Sequence, residues 1–230
     1  MELIDFHAHI LPHMDHGSRH TETACEQLSL MHAAGIDTVC ATSHFYPHNT
    51  LPDEFLKNRD FNRDHLFRAL GDAPRPTLLM GAEVLICPDL DKMEGIERLC
   101  VEGTRILLLE MPFDAKLWDK ALHHTIRNLV RKDILPVLAH VDRYPRESIA
   151  ELFEYGLLGQ VNASALDRFF KPKYLLDWID DGHIVALGSD LHGSDPKSYA
   201  PYTKFVRSMP ARAEMIMEAT ANLLAEAIRY

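Results

Sequence analysis

Short apolar, β-branched-rich runs alternate along this chain with longer segments of helical character, and that alternation restricts the fold more than any other feature. The candidate strands lie near Glu2–Phe6, Thr38–Thr42, Thr77–Ala82, Arg105–Leu109, Leu135–Ala139, Gly159–Val161 and Ile184–Gly188. Between them, Thr21–Ala34 runs to Gly35, a residue suited to a helix C-terminus. Pro52–Leu70 has a charged face, with Phe55, Leu56, Leu66, Phe67 and Leu70 for the other face. Lys116–Arg131, Glu147–Tyr155, Pro172–Asp181 and Ala211–Ile228 complete the expected helices, and Cys87–Gly103 reads as a loop with a short helix. This alternation predicts an α/β fold with a parallel sheet. An open, doubly wound sheet and a closed barrel both satisfy it. The polar residues favour the barrel, in which chemistry gathers at the C-terminal ends of the strands.

Those strand ends carry His7 and His9, His44, Glu83, Glu110, His140, Asn162, and then Asp190 and His192. In extended backbone alternate side chains point the same way, so His7 and His9 can reach one cation together, as can Asp190 and His192. An isolated His-x-His is weak, since two polar residues at a strand end also account for it. Glu110 follows Leu107, Leu108 and Leu109. A carboxylate so placed needs a cation or a hydrogen-bonding partner, a buried salt bridge being the plainer solution. Imidazole and carboxylate ligands suit manganese, iron or zinc better than calcium, and no cysteine joins them as in structural zinc sites. The set is too large for one ion.

Charge and cysteine usage narrow the surroundings. The formal net charge is −10, which offers no broad positive face for non-specific nucleic-acid binding. Bound cations can still attract a small anion locally. Cys25, Cys40, Cys87 and Cys100 form no Cys-x-x-Cys pair and read as reduced thiols. Met-Glu-Leu-Ile-Asp-Phe-His lacks the basic and apolar pattern of a signal peptide, and no apolar run approaches a membrane span. A cytoplasmic protein without membrane insertion is expected.

The stretches IDFHAHILPHMDHG, ATSHFYP, GAEVLI, LLLEMPF, VLAHVDRYP, GQVNAS and LGSDLHG run in order from Ile4 to Gly193. Together they resemble the polymerase-and-histidinol-phosphatase (PHP) superfamily. More narrowly they resemble the bacterial manganese-dependent tyrosine phosphatases of capsule and exopolysaccharide systems, the CpsB/CapC type. The resemblance implies one domain over residues 1–230, a distorted (β/α)7 TIM-like barrel with two to three divalent ions. Manganese is the first expectation, with iron and zinc as alternatives. By position, His7, His9, Glu83 and Asp190 would hold one ion. Glu83, Glu110 and His140 would hold a second, and His44, His192 and His16 a third. His16 is the main departure, because the family usually has aspartate immediately before this glycine, Gly17.

The implied activity is metal-assisted hydrolysis of a phosphomonoester without a covalent phosphoenzyme. The Cys-x5-Arg loop of thiol-dependent phosphatases is absent, Cys100 and Arg105 having the wrong spacing. Catalytic roles fall to Arg143, His140 and Asp190, and substrate binding to Arg143, Lys197 and Tyr144. Arg143 suits a phosphate through its planar fork, although an ion pair with Asp142 or Glu147 is the plainer account. Lys197 stands where the family often has a second arginine. Asp15 and Asp142 are candidate acids for the leaving oxygen, and Phe45, Tyr46 and Tyr144 candidate walls for an aromatic ring. The implied partner is a phosphotyrosine protein, namely the tail of a bacterial tyrosine kinase.

Three other functions fit parts of the pattern. A phosphatase of the same superfamily could act on histidinol phosphate or a nucleotide. A TatD-like or amidohydrolase enzyme shares His-x-His and a late aspartate, but typically has histidine where this chain has Asn162. A metal-binding barrel without turnover could regulate a kinase, and the departures at His16 and Lys197 keep that open.

Overall fold

The apolar runs do form strands, all of them paired in parallel. The structure is a computed structural model that describes residues 1–169, 171–195 and 197–226. In chain order the elements are β1 (Ile4–His9), α1 (Thr21–Ala33), β2 (Thr38–Ala41), β3 (His44–Phe45), α2 (Pro52–Leu70), β4 (Thr77–Met80), β5 (Glu83–Leu85) and β6 (Ile106–Glu110). There follow α3 (Lys120–Arg131), β7 (Leu135–Leu138), α4 (Arg146–Glu154), β8 (Leu158–Asn162), α5 (Ala163–Leu166) and α6 (Lys173–Asp180). The last are β9 (Ile184–Gly188), β10 (Leu191–His192), α7 (Ala200–Ser208) and α8 (Pro210–Glu226). Short 3-10 turns at Leu90–Lys92 and Ile96–Leu99 occupy the stretch expected to be a loop with a short helix.

One sheet has the order β10-β1-β2-β4 and the other β3-β5-β6-β7-β8-β9. Two of the anticipated strands are therefore each divided in two. Thr42 and Ser43 separate β2 from β3, and Gly81 and Ala82 separate β4 from β5. Backbone bonds cross the breaks, from Thr42 N to Ala8 O at 3.0 Å and from Glu83 N to Ser43 O at 3.0 Å. His44 and Glu83 thus open short strands instead of ending long ones, a correction to the strand-end rule read from sequence.

Strand β6 shows how the sequence pattern becomes a site. Leu107 and Leu109 belong to the large apolar core under the helices. Ile106 and Leu108 point the other way, into a small cluster with Phe6, Cys40, Val137, Ala139 and Ala186. That interior cluster draws on strands from both sheets. Period-two alternation then puts Glu110 on the interior side, directly above Leu108. A strand covered on both faces reads as a continuous apolar run, hence three leucines before the carboxylate.

The helices largely follow expectation, with one shifted start and two additions. The segment expected as Lys116–Arg131 begins its helix at Lys120, because Asp119 caps it by accepting from Ala121 N at 2.9 Å and Leu122 N at 3.1 Å. Helices α5 and α7 were not anticipated; α5 is a single turn, and α7 has a proline in its first turn. α7 and α8 are tied to the sheets by Tyr202 OH donating to Ile4 O at 2.7 Å and Thr220 Oγ1 to Val185 O at 2.7 Å. The predicted helix end at Ile228 lies outside the described residues. No helix among the described residues is long and apolar enough to cross a membrane.

Candidate metal centre

Glu83 is the hub of the polar cluster. Its Oε2 lies 3.3 Å from His7 Nε2, 3.4 Å from His9 Nε2 and 2.9 Å from His44 Nδ1, while its Oε1 meets His140 Nε2 at 2.8 Å. Asp190 Oδ1 lies 3.3 Å from His9 Nε2 and 3.7 Å from His7 Nε2. Glu110 approaches His140 Nε2 at 3.7 Å and His44 Nδ1 at 3.8 Å. His192 stacks on His9 with ring centroids 4.0 Å apart. Three overlapping groups have ligand atoms within 4.8 Å of one another: His7, His9 and Asp190; His44, Glu83 and Glu110; and His9, His44 and His192. Residues from distant parts of the sequence thus converge, His44 and Glu83 from the starts of their strands and the others from strand ends or the loops after them.

A second layer orients these candidate ligands. His7 Nδ1 pairs with Gln160 Oε1 at 3.0 Å, and because that oxygen can only accept, Nδ1 carries a proton and Nε2 is turned toward Glu83 and Asp190. Gln160 also accepts from His140 N at 2.7 Å and donates to Asn162 Oδ1 at 3.0 Å; Asn162 Nδ2 donates to Asp190 Oδ2 at 3.1 Å. Asp15 does for His9 what Gln160 does for His7, accepting at 2.7 Å from Nδ1. It also accepts from Gly17 N at 2.8 Å and His44 N at 2.9 Å. Asp5, fully buried, accepts from Ser189 N at 2.9 Å and from the Tyr199 hydroxyl, which fixes the chain just before Asp190.

Two glycines let backbone come this close. A Cβ at Gly17 would sit 2.4 Å from His9 Cβ, and one at Gly188 2.5 Å from Gln160 Nε2 and 2.7 Å from His7 Cβ. His140 and Asp190 adopt φ of 32° and 52°, the left-handed region. For non-glycine residues this costs on the order of 1–3 kcal/mol each, strain that concentrates at functional sites.

The electrostatics fit divalent cations. Burial pushes the Glu110 carboxyl up and the nearby Glu83 charge pushes it further, as expected of crowded carboxylates. Burial alone would raise Glu83 and Asp190, but the charge of His7 and the hydrogen bonds from His140 and His9 respectively hold both below the usual range. Burial disfavours protonation of His7, yet Glu83 and Asp190 still draw a proton onto it. His192 is pushed down to about 4 by burial and by the His9 charge, so it is neutral and able to ligate. Among the described residues, His140 Nδ1 is buried without a hydrogen-bond partner, and His44 Nδ1 and Glu83 Oε2, though 2.9 Å apart, are not aligned for a hydrogen bond. Crowded carboxylates, lone pairs aimed at one point and orphaned polar atoms are what a bound cation would satisfy.

The remaining candidates are placed unevenly. His16 is exposed, its ring stacked 5.0 Å from His44 and 4.5 Å from His192, but it joins none of the three ligand groups. The Arg143 guanidinium forms an ion pair with Asp190, not with Asp142 or Glu147. Lys197 is exposed, and its ammonium has no ion pair among the described residues. Tyr144 corrects an expectation. It is buried, and its hydroxyl accepts from Met111 N at 3.0 Å and donates to Met111 O at 3.1 Å, so it underlies the site instead of walling it. Phe45 is likewise buried, packed edge-on against Phe55. Tyr46 is partly exposed and stacks on His44 at 5.2 Å. Sequence reasoning missed Gln160 and the orienting role of Asp15. Gln160 alternates with Asn162 on β8, and that spacing could have revealed it.

A family model described as capsular polysaccharide synthesis, CpsB/CapC, matches residues 3–214. The tyrosine-protein phosphatase CpsB of Streptococcus pneumoniae is 26% identical over 220 residues, covering 87% of this chain and 86% of its own length. The tyrosine-protein phosphatase YwqE of Bacillus subtilis strain 168 is 26% identical over 207 residues, covering 86% of this chain and 80% of its own. Among solved structures, a chain from the work on YwqE of Bacillus subtilis and CpsB of Streptococcus pneumoniae, described there as unique metal-dependent tyrosine phosphatases, matches with a TM-score of 0.76. It is 24% identical and the match covers 99% of this chain and 94% of that one, a likeness of fold. The family model spans nearly the whole chain, so this protein belongs to the CpsB/CapC family of capsular polysaccharide synthesis.

Proposed function

We propose that the chain is a metal-dependent phosphomonoester hydrolase acting on phosphotyrosine in proteins, with the tail of a bacterial tyrosine kinase as its substrate in the cytoplasm. The observation that carries this is the Glu83 hub, around which His7, His9, His44 and His140 converge. His7, His9, Glu83 and Asp190 would hold one ion, Glu83, Glu110 and His140 a second, and His44, His192 and His16 a third. Manganese is the first choice, with iron and zinc suited to the same ligands. When bound, such ions activate water and neutralise phosphoryl oxygens.

The protein's own groups do the rest. Gln160 and Asp15 hold His7 and His9 in the tautomer that presents Nε2. Arg143, half-exposed at the rim and paired with Asp190, presents its fork to the oxygens of the incoming phosphate. Lys197, exposed, would add positive charge. Between the candidate acids, Asp142 suits the role better. Burial pushes its carboxyl up, whereas Asp15 accepts three hydrogen bonds and is held ionised. A phenol leaves with a pKa of about 10, so a tyrosine ester needs less protonation than an alkyl ester.

The fold that suits this role is a distorted (β/α)7 barrel of the PHP type, one domain over residues 1–230. Pairing of β1 with both β10 and β2, and the passage of β2 into β3 and β4 into β5, support it.

Hydrolysis of a phosphotyrosine peptide, measured beside histidinol phosphate on protein stripped of metal and then given manganese, iron or zinc, tests the proposal. Peptide turnover restored by metal and lost in His140→Ala is the expected result. Turnover of histidinol phosphate alone would move the protein to small-molecule chemistry. Full metal loading with turnover of neither would leave a metal-binding regulator.

A further inference from the structure

Phe113 lies three residues beyond Glu110, in the loop between β6 and α3, and 63% of its surface is exposed. An exposed phenylalanine alone needs no explanation. This one is held in place beside the cluster. Its ring lies nearly parallel to that of His140, with centroids 6.1 Å apart and 12° between the planes, and it rests against Tyr144 at 5.9 Å.

The loop that carries it is tied down on both sides. Met111 N and O both bond the buried Tyr144 hydroxyl, at 3.0 and 3.1 Å. Trp118 Nε1 donates to Pro112 O at 2.7 Å, and Trp118 packs edge-on against Tyr144 at 5.3 Å. Asp114, next to Phe113, caps the following 3-10 turn by accepting from Lys116 N at 3.0 Å. These contacts fix the backbone around a ring that itself stays largely in solvent. A rigid, pre-placed aromatic surface gains contact area on binding at little cost in side-chain freedom.

Resting on the proposed phosphatase function, we infer that Phe113 is a specificity-determining residue, the platform on which the aryl ring of a phosphomonoester lies while its phosphate occupies the Glu83–Glu110 centre. His140 links the two regions, because one ring face is next to Phe113 and its Nε2 meets Glu83 at 2.8 Å. A phosphate seated at the centre directs its ester oxygen outward, and a ring on that oxygen passes the rim where Phe113 stands. Alkyl esters of serine or threonine bring no ring to stack there, so the platform favours phosphotyrosine over phosphoserine.

The test compares binding of phenylphosphonate and methylphosphonate, which share a head group and differ in the ring, to the metal-loaded full chain by calorimetry. Phe113→Ala is expected to weaken phenylphosphonate roughly tenfold and leave methylphosphonate unchanged, with metal content unaltered. Phe113→Tyr, which keeps a ring, restores the preference. Equal weakening of both ligands would mean that Phe113 only supports His140 and would overturn the inference, as would no change in either. The two failures are distinguishable. If the unaltered, metal-loaded protein releases no phosphate from a phosphotyrosine peptide, the proposed function fails. If it does, and Phe113→Ala keeps the wild-type phosphonate preference, only the role of Phe113 fails.

Discussion

The two sides of the candidate metal centre are built differently. On the inner side, His7, His9, Glu83 and His140 are all buried, and both His7 and His9 are oriented by a second polar group, Gln160 or Asp15. On the outer side, His16, His192 and Arg143 reach solvent, and among them His16 is held only by ring stacking among the described contacts. A buried ligand with a fixed tautomer gives geometry before any ion arrives, while an exposed one must be ordered by the ion itself. The inner side should therefore dominate affinity and rate, and the outer side should adjust them.

The largest effect expected is at the hub. Glu83→Gln keeps the shape but removes the charge shared by four histidines, and turnover of a phosphotyrosine peptide should fall at least roughly a hundredfold. Metal content, measured by mass spectrometry on the same sample, should fall with it. If the variant retains both, the inner side is not the centre of the site.

Next comes Gln160→Leu. The variant frees His7 Nδ1 and His140 N at once, while leaving every proposed ligand in place. A metal titration should show affinity about ten- to a hundredfold weaker, in the range of other second-layer losses. Unchanged affinity would show that strand packing alone orients His7.

The smallest effect is expected at His16→Ala, less than about tenfold in metal affinity, since the side chain is exposed. His16→Asp, which supplies the residue usual in the family, should tighten the outermost ion. A loss at His16→Ala as large as that at Glu83→Gln would erase the contrast between the two sides.

Much of the candidate site was legible in the sequence because its candidate ligands obey local rules. His7 and His9 are alternate residues on β1, and Glu110 ends an unmistakable buried run, whereas the same extended geometry expected of Asp190 and His192 fails at Asp190, whose φ of 52° is left-handed. The second layer was less visible. Gln160 and Asp5 are ordinary polar residues until the fold brings Gln160 to His7 and Asp5 to Ser189 and Tyr199. Tyr144 misled for the same reason, since an aromatic residue near a ligand can face solvent or core, and here two bonds to Met111 turned it inward.

The sequence by itself determined the alternating α/β order, the need of Glu110 for a cation or a polar partner and the identity of the ligand candidates, because a run of apolar residues buries whatever carboxylate or imidazole closes it. Only the tertiary structure decided where the strands break into two sheets, that Glu83 is the hub, and which aromatic ring stands exposed beside it. Those outcomes depend on contacts between residues far apart in the chain, such as Glu83 with His140 and His7 with Gln160, and no local pattern encodes such a meeting.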